Sequence, residues 1–238
     1  SQQMAITAND VLNHGQMQGS DDLQLNLRNK LDNRGVISSS NTLGVIAKSL
    51  DQQGTLEARA LTVDVQTLDN RGKMLGVDAL TLAIAGMARN QGKWLSQGSS
   101  TLTADQVENN GQWQAGDITL QANDLTNSGQ IFGINALSLT TTHGLTNQQN
   151  GTLLSQGIAA LRAASVINDG DVQADRLTFE AQQLTNRWRI QGDRELAVTL
   201  DSNNPASRLT NLGTLMSGGD SQLQARRFDN QGTASSVG

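Results

Sequence analysis

The side chains best suited to chemistry are three aspartates in one short stretch, Asp169, Asp171 and Asp175. Cleavage of a glycosidic bond needs carboxylates converging on one face, or carboxylates with a Lys or Arg, to protonate a leaving oxygen and to activate water. When the chain is aligned on its own repeat, however, Asp171 falls beside Arg189. That is the exposed opposite-charge pair that sheets often carry, and it is the preferred reading. His14 and His143 lie far apart, and without Cys or a nearby acidic cluster a metal site is poorly supported. His14 reads as a solvated turn residue and His143 as part of a loop. Trp94 and Trp113 raise the idea of a platform on which a sugar could stack. They share a column otherwise filled by Ile, Leu, Met and Val, so a pair inside the core is the better reading. No catalytic, cofactor-binding or metal residues are assigned.

The elements that carry these residues follow from one phrase that returns twelve times. An apolar residue is followed two positions later by Asn and four positions later by Gly, as in Leu31, Asn33 and Gly35 or Leu125, Asn127 and Gly129. The Gly position falls at 15, 35, 54, 72, 92, 111, 129, 151, 170, 188, 213 and 232, with Trp188 the one exception. A period near 20 residues marks a solenoid in which each turn buries its apolar face only against its neighbours. Two after Gly the column is Met17, Ile37, Leu56, Met74, Trp94, Trp113, Ile131, Leu153, Val172, Ile190, Leu215 and Ala234, with polar residues on either side. Alternation of that kind predicts short strands with one buried face, two or three to a turn. Strands of successive turns then pair in parallel at about 4.8 Å, giving an all-β parallel β-helix of about twelve rungs and a rod of roughly 50–55 Å.

The Asn before Gly suits a turn, and stacked on its copies it can form a side-chain ladder. The Gly is expected to supply a positive φ. Four after Gly the residues cycle Gly, Ser and Ala in step with gaps of 20, 19 and 18, until Ser236 breaks the cycle, so the rungs come in threes.

Composition agrees. The chain has no Cys, hence no disulfide framework or thiolate metal site. A net charge of −5 without a basic stripe removes the electrostatic footprint of a nucleic-acid binder. No apolar run is long enough to span a bilayer as a helix. The pattern is already running at both ends, so residues 1–238 are expected to be a single β-helical segment of a longer chain.

Leu125, Asn127, Gly129 and Ile131, with Leu31, Asn33, Gly35 and Ile37, give a phrase that resembles the filamentous haemagglutinin repeat of two-partner-secreted exoproteins. The resemblance runs from about residue 11 to residue 232. It implies a right-handed β-helical filament, secreted through an outer-membrane transporter of the two-partner type and held at the bacterial cell surface between flanking repeats of its parent chain. It is closest to the effectors of contact-dependent growth inhibition, whose partner is an outer-membrane protein receptor on a neighbouring bacterium. A host-directed adhesin that meets a cell surface or glycan is the alternative. A polysaccharide lyase or hydrolase is the less favoured third reading.

Breaks in the repeat nominate recognition sites. Two residues are inserted around Gln148 and Gln149. Trp188 stands where Gly and positive φ are expected, a costly exchange, and its neighbour Arg189 is a candidate with it. The next rung swells to 25 residues, bulging at Asp201, Asn203, Asn204 and Pro205. Loops on a rigid scaffold are where recognition tends to reside, whereas long surface insertions are also thermodynamically cheap. Both readings remain open.

Overall fold

A computed structural model describes residues 3–237. The chain divides into two compact units, Ser1–Gly116 and Asp117–Gly238. Each holds six of the twelve repeat phrases, and among the described residues there are strands and turns but no helix. The architecture is an all-β solenoid with parallel pairing throughout.

In the first unit the apolar column stacks in strict register. Met17 lies over Ile37, Ile37 over Leu56, Leu56 over Met74, Met74 over Trp94 and Trp94 over Trp113. From Ile37 onward these side chains have no exposed surface. The second unit repeats the arrangement with Ile131, Leu153, Val172, Ile190, Leu215 and Ala234 in register. Within each stack an inward side chain is thus covered above and below by its own homologue, so a turn of about twenty residues can bury a core that it could not enclose alone.

The Asn column is the polar counterpart of that core. Asn13 Nδ2 donates to Asn33 Oδ1 (2.8 Å), and Asn33 donates to Gln52 Oε1 (2.9 Å). Asn70 donates to Asn90 and Asn90 to Asn109, both at 2.8 Å. In the second unit the relay runs from Asn127 through Asn147, Asn168, Asn186 and Asn211 to Asn230 at 2.7–2.9 Å. The same amides also reach main-chain carbonyls one turn on, as Asn168 does with Arg189 (3.0 Å). Asn147 keeps the relay whole although it precedes Gly151 by four residues rather than two. The insertion is therefore absorbed entirely between the ladder and the glycine.

The glycines serve a different purpose from the one expected. Among the described residues no glycine has a positive φ, and the left-handed region is occupied only by Asn150, at 67°. What the column demands is room. A Cβ on Gly54 would lie 1.9 Å from the Gly35 carbonyl oxygen, and one on Gly213 would lie 2.0 Å from that of Trp188. The turns stack so closely that the backbone of one occupies the side-chain space of the next.

The threefold cycle appears as three kinds of corner. Where the residue four after Gly is Ala, the strand runs through unbroken for 16 residues, as in Thr55–Asn70 and Asp171–Asn186. Strands are therefore longer than the two or three short pieces expected. At Gly76, Gly133 and Gly192 the strand also continues, although at Gly19 it ends, and at Gly76 and Gly192 a register shift takes up an extra residue opposite Ala58 and Ala60 or Ala174 and Arg176. A Cβ on Gly76 or Gly192 would meet the carbonyl oxygen three residues ahead at about 2 Å. At Ser corners the strand ends, as at Val36–Ser39, Thr152–Ser155 and Thr214–Ser217, and the hydroxyl takes over the free backbone. Ser217 Oγ donates to Asp220 O (2.6 Å) and accepts from Gly219 N–H (3.3 Å).

Trp94 and Trp113 are fully buried and meet edge to face, with ring centroids 5.5 Å apart at 87°. Trp113 Nε1 donates to the buried Ser100 Oγ (2.8 Å). They are core residues.

Candidate recognition surface

The three aspartates do not converge. Asp169 accepts from Arg187 (3.0 Å), Asp171 from Arg189 (2.7 Å), and Asp175 pairs with Arg194 through two guanidinium nitrogens, Nε and Nη2. The Asp171–Arg189 pairing is the one that the repeat alignment predicts, and the two residues face each other in register. The guanidinium of Arg194 holds the Asp175 carboxyl below the usual carboxylate range, the opposite of what a general acid requires. His143 lies in the strand Gln130–Asn147 rather than in a loop, at a register irregularity, with Nδ1 3.5 Å from Asp124. Among the described residues no three His, Cys, Asp or Glu side chains gather as metal ligands.

The conspicuous feature of the second unit is the corner at Trp188. This residue is 61% exposed. Its backbone is not in the left-handed region, so the strain expected of a bulky residue there is absent. Space, not φ, is what the column requires, and here the side chain lies largely in solvent. Most column glycines, Gly35, Gly54, Gly213 and Gly232 among them, donate N–H to a main-chain carbonyl of the Asn column one turn back. Gly151 instead donates to Gln148 O (2.9 Å), closing a tight turn made by the inserted residues, and Gly170 donates to Asn168 Oδ1 in its own turn (3.3 Å).

Beside the indole a cleft of about 570 Å³ opens, lined by Gln149, Asn150, Gly151, Asp169, Gly170, Asp171 and Trp188. On its other side a second hollow of about 470 Å³ is bounded by Arg187, Arg189, Leu212 and Thr214. Leu212 is 43% exposed, at a position where other turns carry polar residues.

Of the residues singled out from sequence, Gln149, Trp188 and Arg189 come together at this corner. Gln148 contributes its backbone to the supporting turn. Asp201, Asn203, Asn204 and Pro205 lie elsewhere, where the strand Arg189–Leu200 gives way to Arg208–Asn211. That loop is held by its own bonds. Asn204 N–H donates to Asp201 O (3.1 Å), Ser207 N–H to Asn204 O (2.9 Å), and the Asp201 and Asn204 side chains each accept from a backbone N–H two residues on. Two successive Asx-stabilised turns make it a defined projection. Asn150, Arg187 and Leu212 were not anticipated. The Asn150–Gly151 dipeptide was the available signal for the left-handed turn.

The haemagglutinin-repeat model matches residues 1–35, 33–92, 60–149, 115–187 and 189–238. The chain belongs to the haemagglutinin-repeat family. It is similar to Deoxyribonuclease CdiA of Dickeya dadantii, at 54% identity over 159 residues, 66% of this chain and 5% of that protein. Similarity to tRNA nuclease CdiA of Yersinia mollaretii is 28% over 240 residues, 100% of this chain and 8% of that protein. A tRNA nuclease CdiA of Escherichia coli strain NC101 is 34% identical over 185 residues, 74% of this chain and 6% of that protein. The chain thus spans under a tenth of the length of these relatives. It is a filamentous-haemagglutinin-type repeat region that resembles growth-inhibition effectors. No solved structure matches it.

Proposed function

We propose that this β-solenoid is a non-catalytic presentation segment of a secreted, cell-surface effector of contact-dependent growth inhibition, residues 1–238 forming one stretch between flanking repeats of its parent chain. The observation that carries the reading is the stacked interior. Register-matched columns and the Asn ladder consume the inward side chains in structure, and the acidic patch is neutralised pair by pair. Relatives that share the repeat bear the names of different nucleases, which suits a repeat that is common to chains with differing activities. Export through an outer-membrane transporter of the two-partner type accords with a chain that has no Cys to oxidise.

Recognition of an outer-membrane protein receptor on a neighbouring bacterium is assigned to a departure from the repeat, the Asp201–Ser207 projection. The test is capture of envelope proteins from related bacteria by the 238-residue chain, with and without residues 202–207. Capture that is lost on deletion while the β-rich circular dichroism persists supports the assignment. Capture that is unaffected removes the projection from it, and binding confined to host cells replaces the growth-inhibition reading with a host-directed adhesin.

A further inference from the structure

We infer that the Trp188 corner is a saccharide-binding subsite, in which the exposed indole stacks on a neutral sugar ring while the amides and carboxylates of the adjoining cleft hydrogen-bond its hydroxyls. It does not rest on the proposed function, which places the protein receptor on the Asp201–Ser207 projection. It concerns a different ligand from the protein receptor and has its own readout.

Packing gives no reason for an aromatic residue at position 188. The other eleven turns carry Gly there, and the indole leaves most of its surface in water, so it contributes little to the core. What it provides is one flat apolar face at the edge of a cleft whose volume lies within the roughly 300–1,000 Å³ typical of small-molecule sites.

The remaining lining selects the ligand. Apart from the indole, the cleft presents Gln149, Asn150, Asp169, Asp171 and the backbone of two glycines. A peptide anchor would need several apolar walls, and this cleft has one. An anion would meet two carboxylates. A cation would meet carboxylates already matched by Arg187 and Arg189. A pyranose answers all of these terms. Its C–H face, slightly positive, lies against the negative face of the aromatic ring. Its hydroxyls both donate and accept, so they can use amides and carboxylates together. The site is also pre-formed, because main-chain ladders and the Asn relay hold both sides of the cleft, and little ordering entropy is lost on binding.

The three tryptophans make the test direct. Trp94 and Trp113 are buried, so acrylamide quenching of the 238-residue chain reports chiefly on Trp188. Maltose, lactose and chitobiose are titrated as probes, alongside an array of neutral glycans, vesicles carrying bacterial lipopolysaccharide, and heparin. The expected result is saturable protection of Trp188 by at least one neutral sugar, with millimolar or tighter affinity. The lipopolysaccharide and array arms show whether the ring comes from a bacterial or a host surface, and either supports the inference.

Trp188→Gly installs the residue that the other turns carry, so the fold is retained. It should weaken sugar binding more than tenfold on the glycan array, a readout that does not need the indole, at unchanged circular dichroism, and Trp188→Phe should recover part of the loss. The inference is overturned if no neutral glycan binds, if Trp188→Gly binds as well as the parent chain, or if heparin alone binds. Envelope-protein capture is read separately, so the failure of one claim is not mistaken for the failure of the other.

Discussion

Gln52 interrupts the amide relay, and repairing it should stabilise the first unit. Asn33 hands its hydrogen bond to Gln52 Oε1, but Gln52 Nε2 turns to the Lys73 carbonyl (3.2 Å) instead of to the next side chain. Asn70 Oδ1 is left buried without a donor. An unsatisfied buried acceptor costs about 1–3 kcal/mol. In Gln52→Asn the shorter side chain can occupy the place that Asn33 and Asn90 hold in their own turns, donating both to the next amide and to a carbonyl one turn on. The lost methylene offsets about 0.8 kcal/mol of the gain, leaving a net stabilisation of about 1 kcal/mol. Thermal melting followed by far-ultraviolet circular dichroism should then shift upward by about 2–4 °C. Asn70→Ala in both backgrounds isolates the repaired bond, because every other consequence of that change is common to the two. It should cost about 1 kcal/mol more in the Gln52→Asn chain. Equal costs in the two backgrounds, or a Gln52→Asn chain that melts no higher than the parent, would refute the reasoning.

Other outcomes follow from the same geometry. Gly54→Ala places a Cβ against the Gly35 carbonyl and should destabilise by about 3 kcal/mol in urea unfolding, whereas Trp188→Gly should leave the midpoint unchanged or raised. Trp113→Ala empties a fully enclosed site and should cost about 3–5 kcal/mol, while Trp113→Phe, which strands the Ser100 hydroxyl, should cost about 1–2. The Asp32, Asp175 and Asp229 carboxyls are held below their ordinary value of 3.8 by hydrogen bonds from Arg34, Arg194 and Arg208. A depressed carboxyl contributes stability above its unfolded value and loses it as pH falls through the folded one. Melts should therefore be insensitive to these three groups down to about pH 5 and decline below about pH 4. Replacing all three by Asn should flatten the acid limb. If the parent chain is equally stable on both sides of that limb, these pairs contribute nothing.

The solenoid was legible because its information is repeated. A single Leu, Asn and Gly at fixed spacing is weak, but twelve in phase fix which residues stack, and Ile37, Leu56 and Met74 lie one over another as the alignment requires. The role of Asn was also readable, because an amide stacked on its own kind has both a donor and an acceptor to offer. The role of Gly was not. Positive φ and close backbone approach select the same residue, and only coordinates distinguish them. The same ambiguity hid the nature of Trp188, whose backbone is not in the left-handed region and whose side chain is largely exposed. Asn147 was missed as a ladder member because alignment on Gly displaced it by two places. The side chains that line the clefts come from turns whose neighbours are distant in the chain, so Leu212 and Asn150 acquire meaning only once those turns are stacked.

The Gly, Ser and Ala corners also imply that length is quantised. Excising the chain between Gly35 and Gly92 would join a winding to one with the same kind of bend, so every later residue would meet the neighbour type it already has. Removing a single winding would instead bring two bends together in an order that the Gly, Ser and Ala cycle never contains. Filaments of this type should therefore lengthen and shorten in steps of three.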